Sequence, residues 1–137
     1  MTTNKKRRFG RGFTLIELLV VMMLIGILAT IAIARYVNLK DKSLVAAATY
    51  DLDLVRKLLA YYAADWNGYP PAAGSYQDLQ DQLIDADGNS YGELPLSNTF
   101  QFVSYAIDLN GDFIVRIRAA DNGGSILIAT PETIRRE

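Results

Sequence analysis

The chain has 137 residues, half of them hydrophobic, and a formal net charge of −1, which suits one domain plus an attachment segment. It contains neither cysteine nor histidine. This excludes disulfides, thiolate metal sites, histidine-ligated zinc, and the Ser–His and Cys–His pairs of nucleophilic catalysis. The composition therefore favours a protein that is not an enzyme.

Residues 1–12 form a basic leader. They contain no acidic residue, and their cations are Lys5, Lys6, Arg7, Arg8 and Arg11. Such a cluster before an apolar segment is typical of the cytoplasmic flank of a membrane span. Without the leader, nine basic and 15 acidic side chains would remain, a formal charge of −6. Because phosphate binding needs a basic surface, no nucleic-acid partner is predicted.

Residues 13–34 form an apolar segment whose only polar residues are Thr14, Glu17 and Thr30. As a helix it would be about 33 Å long, enough to cross a bilayer core. The helical period then continues in amphipathic form to about residue 65. Its apolar stripe consists of Leu44, Ala48, Leu52, Val55, Leu59 and Tyr62. The sequence therefore predicts one long helix over about 13–65 whose second half packs on another element.

The remaining residues predict a loop followed by a small sheet. Asn67-Gly68 and Pro70-Pro71 end the helix, and residues 66–98 form a connecting loop with a short helix at Tyr76–Ile84. Three strands follow, joined by turns at 108–111 and 121–124. The strands are Thr99–Ile107, Asp112–Ala119 and Ser125–Thr130. The expected fold is α+β: an antiparallel meander of about three strands (99–130) packs on the helix and completes a globular head over 35–137.

Glu17 is the unusual residue of the apolar segment. A carboxylate costs roughly 2.5–3.5 kcal/mol at mid-bilayer, and less near an interface. Three interpretations of residues 1–35 are open: a secretory signal peptide cut before Arg35, a plain signal anchor, and a leader cut between Gly12 and Phe13. Only the third offsets this cost, because it creates an α-amino group about one helical turn from the carboxylate.

The residues from Gly12 to Val21, GFTLIELLVV, resemble the N-terminal signature of bacterial type IV pilins and the pseudopilins of type II secretion, and the likeness continues to Ile33. The resemblance implies that a prepilin peptidase cuts after Gly12 and that the new terminal residue, Phe13, is N-methylated. It assigns Glu17 to filament assembly, where the carboxylate pairs with the terminal amine of a neighbouring subunit. It assigns Gly26 to helix flexibility.

The resemblance also implies a function without a catalytic step or a required cofactor. We expect a structural subunit of a type IV pilus-like helical filament, a homo-oligomer assembled by inner-membrane machinery. The precursor would lie in inner-membrane lipid with its head in the periplasm, and the mature form in an extracellular pilus or a periplasmic pseudopilus. One alternative is a major pseudopilin of type II secretion, and another is a membrane-anchored or secreted binding module.

The sequence departs from the resembled family at two places. Many members have a proline at the position of Ala34, and many have a C-terminal pair of cysteines; this chain has neither. Glycine weakens a helix by about 1 kcal/mol relative to alanine, so Gly26 alone favours local loosening less strongly than glycine and proline together.

Residues 85–93, DADGNSYGE, alternate oxygen-bearing side chains and predict one of two structures. The first is a calcium loop with Asp85, Asp87, Asn89 and Glu93 as ligands, although the spacing is not that of an EF-hand. The second is a plain turn, because Asp, Asn and Gly dominate turns. For the similar residues 108–112, the position between two strands favours a hairpin turn.

Overall fold

The computed structural model describes residues 12–95 and 98–137. The predicted leader, apart from Gly12, therefore lies outside the described residues. The chain divides into two compact units at Val37/Asn38, one ending at Val37 and the other comprising Asn38–Glu137. The long first helix contributes to both units, and the second unit is the head.

The first helix, α1, comprises Leu15–Trp66, 52 residues. It contains no proline and one glycine, Gly26, so nothing in its sequence interrupts the hydrogen-bond ladder. The chain leaves the helix at Asn67, which has a φ of 53°, a left-handed conformation that asparagine tolerates. The predicted helix over about 13–65 is confirmed.

The N-terminal unit exposes its apolar surface. Every residue from Gly12 to Val37 is exposed, and α1 is long and apolar enough to cross a membrane. Exposed apolar patches larger than a few hundred square ångströms mark contacts with lipid or protein. The apolar surface of this unit therefore predicts such a contact.

The head contains one antiparallel sheet of four strands in the order β1-β2-β3-β4. The strands are β1 Phe100–Ile107, β2 Phe113–Ala119, β3 Ile126–Ala129 and β4 Ile134–Arg136. The α+β class and the meander are confirmed, whereas the count of about three strands was too low by one. The missed strand, β4, is three residues long, follows Pro131 closely and contains two arginines, so it carries no alternating apolar pattern.

The core lies between one face of α1 and the inner face of the sheet. The helix contributes Ala48, Leu52, Val55 and Leu59, each at most 1% exposed and spaced by three or four residues, which places them on one helix face. The sheet contributes Tyr105, Phe113, Val115, Ile117, Ala119, Leu127 and Ala129. A short helix, α2 (Tyr76–Gln82), and the residue after it add Leu79 and Leu83.

Two polar contacts fix the segment between α1 and the sheet. Ser75 caps α2 by accepting a hydrogen bond from the Asp78 backbone N–H at 3.0 Å. The buried Tyr105 hydroxyl donates to the Pro70 carbonyl at 2.7 Å, and burial raises the pKa of this tyrosine. The predicted short helix at Tyr76–Ile84 is therefore confirmed, two residues shorter than expected.

Candidate processing and assembly site

The bond between Gly12 and Phe13 lies just before α1. Residues 12–14 are not helical, and the Phe13 side chain is 80% exposed. A Cβ on Gly12 would meet no heavy atom within 4 Å. A peptidase must bind an extended segment around the bond that it cuts, so this exposed, non-helical position is suited to cleavage.

Glu17 and Thr14 form a reciprocal cap at the start of α1. The Glu17 Oε2 atom accepts hydrogen bonds from the Thr14 backbone N–H and from its hydroxyl, both at 2.9 Å. The Thr14 hydroxyl oxygen accepts from the Glu17 backbone N–H at 3.3 Å. This is the capping box, in which the N-cap residue and the third helical residue satisfy each other's free backbone N–H groups.

The cap gives Glu17 a role within the subunit. Its carboxylate lies at the positive end of the helix dipole and is hydrogen-bonded before any neighbour is present. The T-x-x-E spacing of residues 14–17 is a sequence signal for this cap that the predictions above did not include. Thr14 therefore already binds one oxygen of the carboxylate, and the pairing of Glu17 with a cation of a neighbouring subunit stays a prediction.

Cleavage after Gly12 would place a new cation close to this cap. The Thr14 N–H that donates to Glu17 belongs to the residue directly after Phe13. Once the Gly12–Phe13 bond is cut, the α-amino group of Phe13 is one residue from a backbone group that already touches the carboxylate. Phe13, Ile16, Glu17, Val20 and Val21 line one shallow groove at this end of α1.

Gly26 and Ala34 both lie inside continuous α-helix. A Cβ on Gly26 would have no neighbour within 4 Å, so packing within the chain does not require a glycine here. Flexibility at Gly26 in an assembled filament stays a prediction.

Three of the four residues predicted to bind calcium, Asp85, Asp87 and Asn89, lie in one turn, and Glu93 follows outside it. Asp85 Oδ1 accepts hydrogen bonds from the backbone N–H groups of Asp87 and Asn89 at 2.9 and 2.8 Å, and Oδ2 accepts from the Asn89 side-chain amide at 3.1 Å. These donors, chiefly Asn89, hold the pKa of the Asp85 carboxyl below its usual range. In this conformation Asp85 faces N–H donors, and no group of three or more acidic side chains converges among the described residues. Calcium binding at Asp85, Asp87, Asn89 and Glu93 stays a prediction.

Comparison with known proteins supports the interpretation of the N-terminus. Residues 7–33 match the family model described as the prokaryotic N-terminal methylation motif. This match and the similar proteins described below support the assignment of the chain to the superfamily of type IV pilins and type II secretion pseudopilins. The motif and the apolar helix indicate that the precursor is anchored in the inner membrane.

Three similar proteins illustrate both branches of the superfamily. Type II secretion system core protein G of Pseudomonas aeruginosa is 35% identical over 65 residues, covering 47% of this chain and 46% of the relative. The protein of that name in Vibrio cholerae is 28% identical over 109 residues, covering 73% and 75%. Type IV narrow pilus major component PilA5 of Thermus thermophilus is 40% identical over 61 residues, covering 44% and 53%. The chain spans about half the length of the Pseudomonas aeruginosa protein and of the protein of that name in Klebsiella michiganensis. No solved structure matches.

Proposed function

We propose that this protein is the structural subunit of a type IV pilus-like helical filament. A prepilin peptidase removes residues 1–12, and the subunit then passes from the inner membrane into the fibre. The role is mechanical and involves no catalytic step. The observation that carries the proposal is an exposed, non-helical Gly12–Phe13 bond directly before a capped helix whose apolar surface is uncovered.

Assembly would transfer the apolar part of α1 from lipid to neighbouring helices. Because both environments are apolar, the exposed apolar side chains of residues 13–34 need never contact water. A head-to-tail contact that does not close into a ring produces a fibre. The new amine of Phe13 supplies a cation that can pair with the free oxygen of Glu17 in a neighbouring subunit.

A second candidate is a major pseudopilin, whose filament would stay in the periplasm. It is supported by the relatives named type II secretion system core protein G, one of which is similar over most of its length. A relative named as the major component of a narrow pilus supports the first candidate. The two candidates differ in where the filament ends, which imaging of fibres on intact cells determines.

The proposal is tested by the intact mass of the protein recovered from its native cells. We expect a chain that starts at Phe13 and carries one added methyl group on the terminal amine. A chain that starts at Arg35 would mean an ordinary signal peptide and would overturn the proposal.

A substitution test uses Glu17→Ala with Glu132→Ala as a matched control, because Glu132 is exposed on the head. We expect Glu17→Ala to be cut and inserted normally but to yield few or no filaments. The control should assemble like the wild type. Normal assembly of Glu17→Ala would remove the carboxylate from the mechanism.

A further inference from the structure

The head separates its charges along the chain. Residues 58–115 contain no lysine or arginine, but they contain Asp65, Asp78, Asp81, Asp85, Asp87, Glu93, Asp108 and Asp112. The following 22 residues contain all four arginines of the second half of the chain, Arg116, Arg118, Arg135 and Arg136, together with three acids, Asp121, Glu132 and Glu137. The first segment is therefore purely acidic, and the cations of this half of the chain are confined to the second segment.

The acidic region lies at the β1 edge of the sheet. The Tyr76 ring of α2 packs on Phe100 and Phe102 of β1, with ring centroids 5.9 and 5.3 Å apart. On α2, Asp78 and Asp81 are exposed. We call α2 and the loop after it, residues 76–93, the acidic edge.

The basic region lies on the outer face of β2 and β4. Cross-strand pairing aligns Arg116 with Ile128 and Ile128 with Arg135, so the two arginines flank one isoleucine. Ile128 is only 4% exposed, although it is not part of the core cluster. Its burial is consistent with cover by the aliphatic stems of the two neighbouring arginines. Arg118 lies two residues further along β2 on the same face and is exposed. We call Arg116, Arg118 and Arg135 the arginine face.

The arginine face has no ionic partner within the described part of the chain. The ion pairs there join Asp53 to Arg56 at 3.0 Å and to Lys57 at 2.8 Å, both within α1. Arginine guanidinium groups bind carboxylates in a planar, bidentate geometry, so three unpaired arginines on one face can receive carboxylates from another molecule.

We infer that the arginine face of one subunit binds the acidic edge of a second copy of this chain. This inference rests on the proposed function, since it names the contact between heads in the filament. The acidic edge packs through Tyr76 on residues of the inner face of β1, whereas the arginine face lies on the outer face of β2 and β4, so each head presents the two regions on separate surfaces. Such a contact is heterologous and repeats from subunit to subunit. Without the leader the chain carries −6, so identical heads repel unless the contact joins regions of opposite charge.

Cysteine cross-linking of the full chain tests the contact, because the natural chain has no cysteine. Asp81→Cys and Arg135→Cys are combined in one chain, and filaments sheared from native cells are oxidised. A contact between different subunits predicts a ladder of dimers, trimers and longer products. A chain with only one of the two cysteines can form at most a dimer, which is the first control. The second control combines Asp81→Cys with Tyr50→Cys, because Tyr50 is exposed on α1 and lies outside the arginine face. If filaments with Asp81→Cys and Arg135→Cys give no more cross-linked product than filaments with Asp81→Cys and Tyr50→Cys, the inference is overturned.

Charge reversal gives an independent readout. Arg118→Glu should lower the yield of sheared filaments about tenfold, because like charges then face each other, and Asp81→Lys in the same chain should restore most of it. A reversal without effect, or one that the second change does not restore, contradicts the contact. If wild-type cells make no filaments, the proposed function fails and the inference with it. Wild-type filaments without a ladder or a rescue overturn the inference alone.

Discussion

The carboxylate of Asp41 in α1 accepts two hydrogen bonds from Asn122, one from its backbone N–H and one from its side-chain amide, both at 3.2 Å. The two residues are 81 positions apart. Asn122 lies in the turn between β2 and β3, so this contact attaches the turn to the helix. A second contact, from the Thr99 hydroxyl to Asp51 at 2.9 Å, attaches the start of β1 to the same helix.

Asp41→Ala should release the turn between β2 and β3. Loss of two hydrogen bonds costs about 1–3 kcal/mol locally, because each contributes roughly 0.5–1.5 kcal/mol. Hydrogen exchange of the full chain in detergent should show faster exchange of the amides of residues 121–124, with the rest of the sheet unchanged. Lys42→Ala, at an exposed neighbouring position, is the control. Equal exchange in the two variants would mean that Asp41 does not hold the turn.

Tyr105→Phe should lower the free energy of unfolding of the head by about 1–3 kcal/mol. The substitution keeps the ring but leaves the buried Pro70 carbonyl without its donor. Thermal unfolding followed by near-UV circular dichroism measures the change. Tyr50→Phe, with its ring 64% exposed, should leave the melting temperature within about 1 °C of the wild type. An equal effect of both substitutions would contradict the role of the buried hydroxyl.

The stability of the head should fall at acidic pH. Hydrogen bonds from Ser125 lower the pKa of the Asp121 carboxyl, and those from Asn89 lower that of Asp85. A pKa lowered in the folded state adds stability above the unfolded value of about 3.9, and this stability is lost as the pH falls through the folded pKa. The melting temperature should therefore drop below about pH 4. Asp121→Asn should show a smaller drop, and an unchanged profile would exclude this carboxyl as a contributor.

Thr14→Val should weaken the start of α1 by about 1 kcal/mol, because it removes the hydroxyl that caps the helix and binds Glu17. Amides of residues 15–18 should exchange faster in detergent, whereas Thr14→Ser should preserve protection. Thr30→Val is a matched control, since the Thr30 hydroxyl donates only to the Ile27 carbonyl within the helix. Unchanged exchange in Thr14→Val would show that the hydroxyl adds nothing to the cap.

Calcium binding by residues 85–93 predicts a higher melting temperature in millimolar calcium, since a ligand that binds only the folded state stabilises it. Asp87→Ala should abolish the shift, because Asp87 is a predicted ligand whose carboxylate does not close the turn. Magnesium at equal concentration controls for ionic strength. A wild-type protein that melts at the same temperature with calcium and with chelator contains a turn at this place and no calcium site.

Periodic patterns in the sequence predicted most of the fold, but they did not predict contacts between residues far apart in the chain. The apolar stripe at Ala48, Leu52 and Leu59 gave α1 and its buried face, since a helix repeats every 3.6 residues. The β4 strand escaped because three residues with two arginines have no apolar alternation. The contact between Asp41 and Asn122 escaped for another reason: a single polar pair leaves no periodic signal, and only the folded chain brings its two members together.

At the candidate site, the sequence motifs identified the residues but did not predict the contacts between them. Glu17 could be singled out because a carboxylate at that place in an apolar segment is unusual, and the resemblance to the pilin signature assigned the roles of Gly12 and Phe13. The partner of Glu17 in the subunit was missed, although Thr14 lies at the capping-box spacing. The structure shows this contact directly, because it shows that the helix begins at Leu15 and leaves Thr14 as its N-cap.

The separation of charges also determines how the protein fragments under trypsin, which cuts after lysine and arginine. Because residues 58–115 contain no lysine or arginine, trypsin releases one long peptide from Leu58 to Arg116, which contains α2, the acidic edge and all of β1. A chain cut after Gly12 would release a second peptide, from Phe13 to Arg35, that contains almost only apolar residues. Digestion maps based on trypsin will therefore recover poorly the two segments that matter most, and a protease that cuts beside aspartate divides the acidic edge at several points instead.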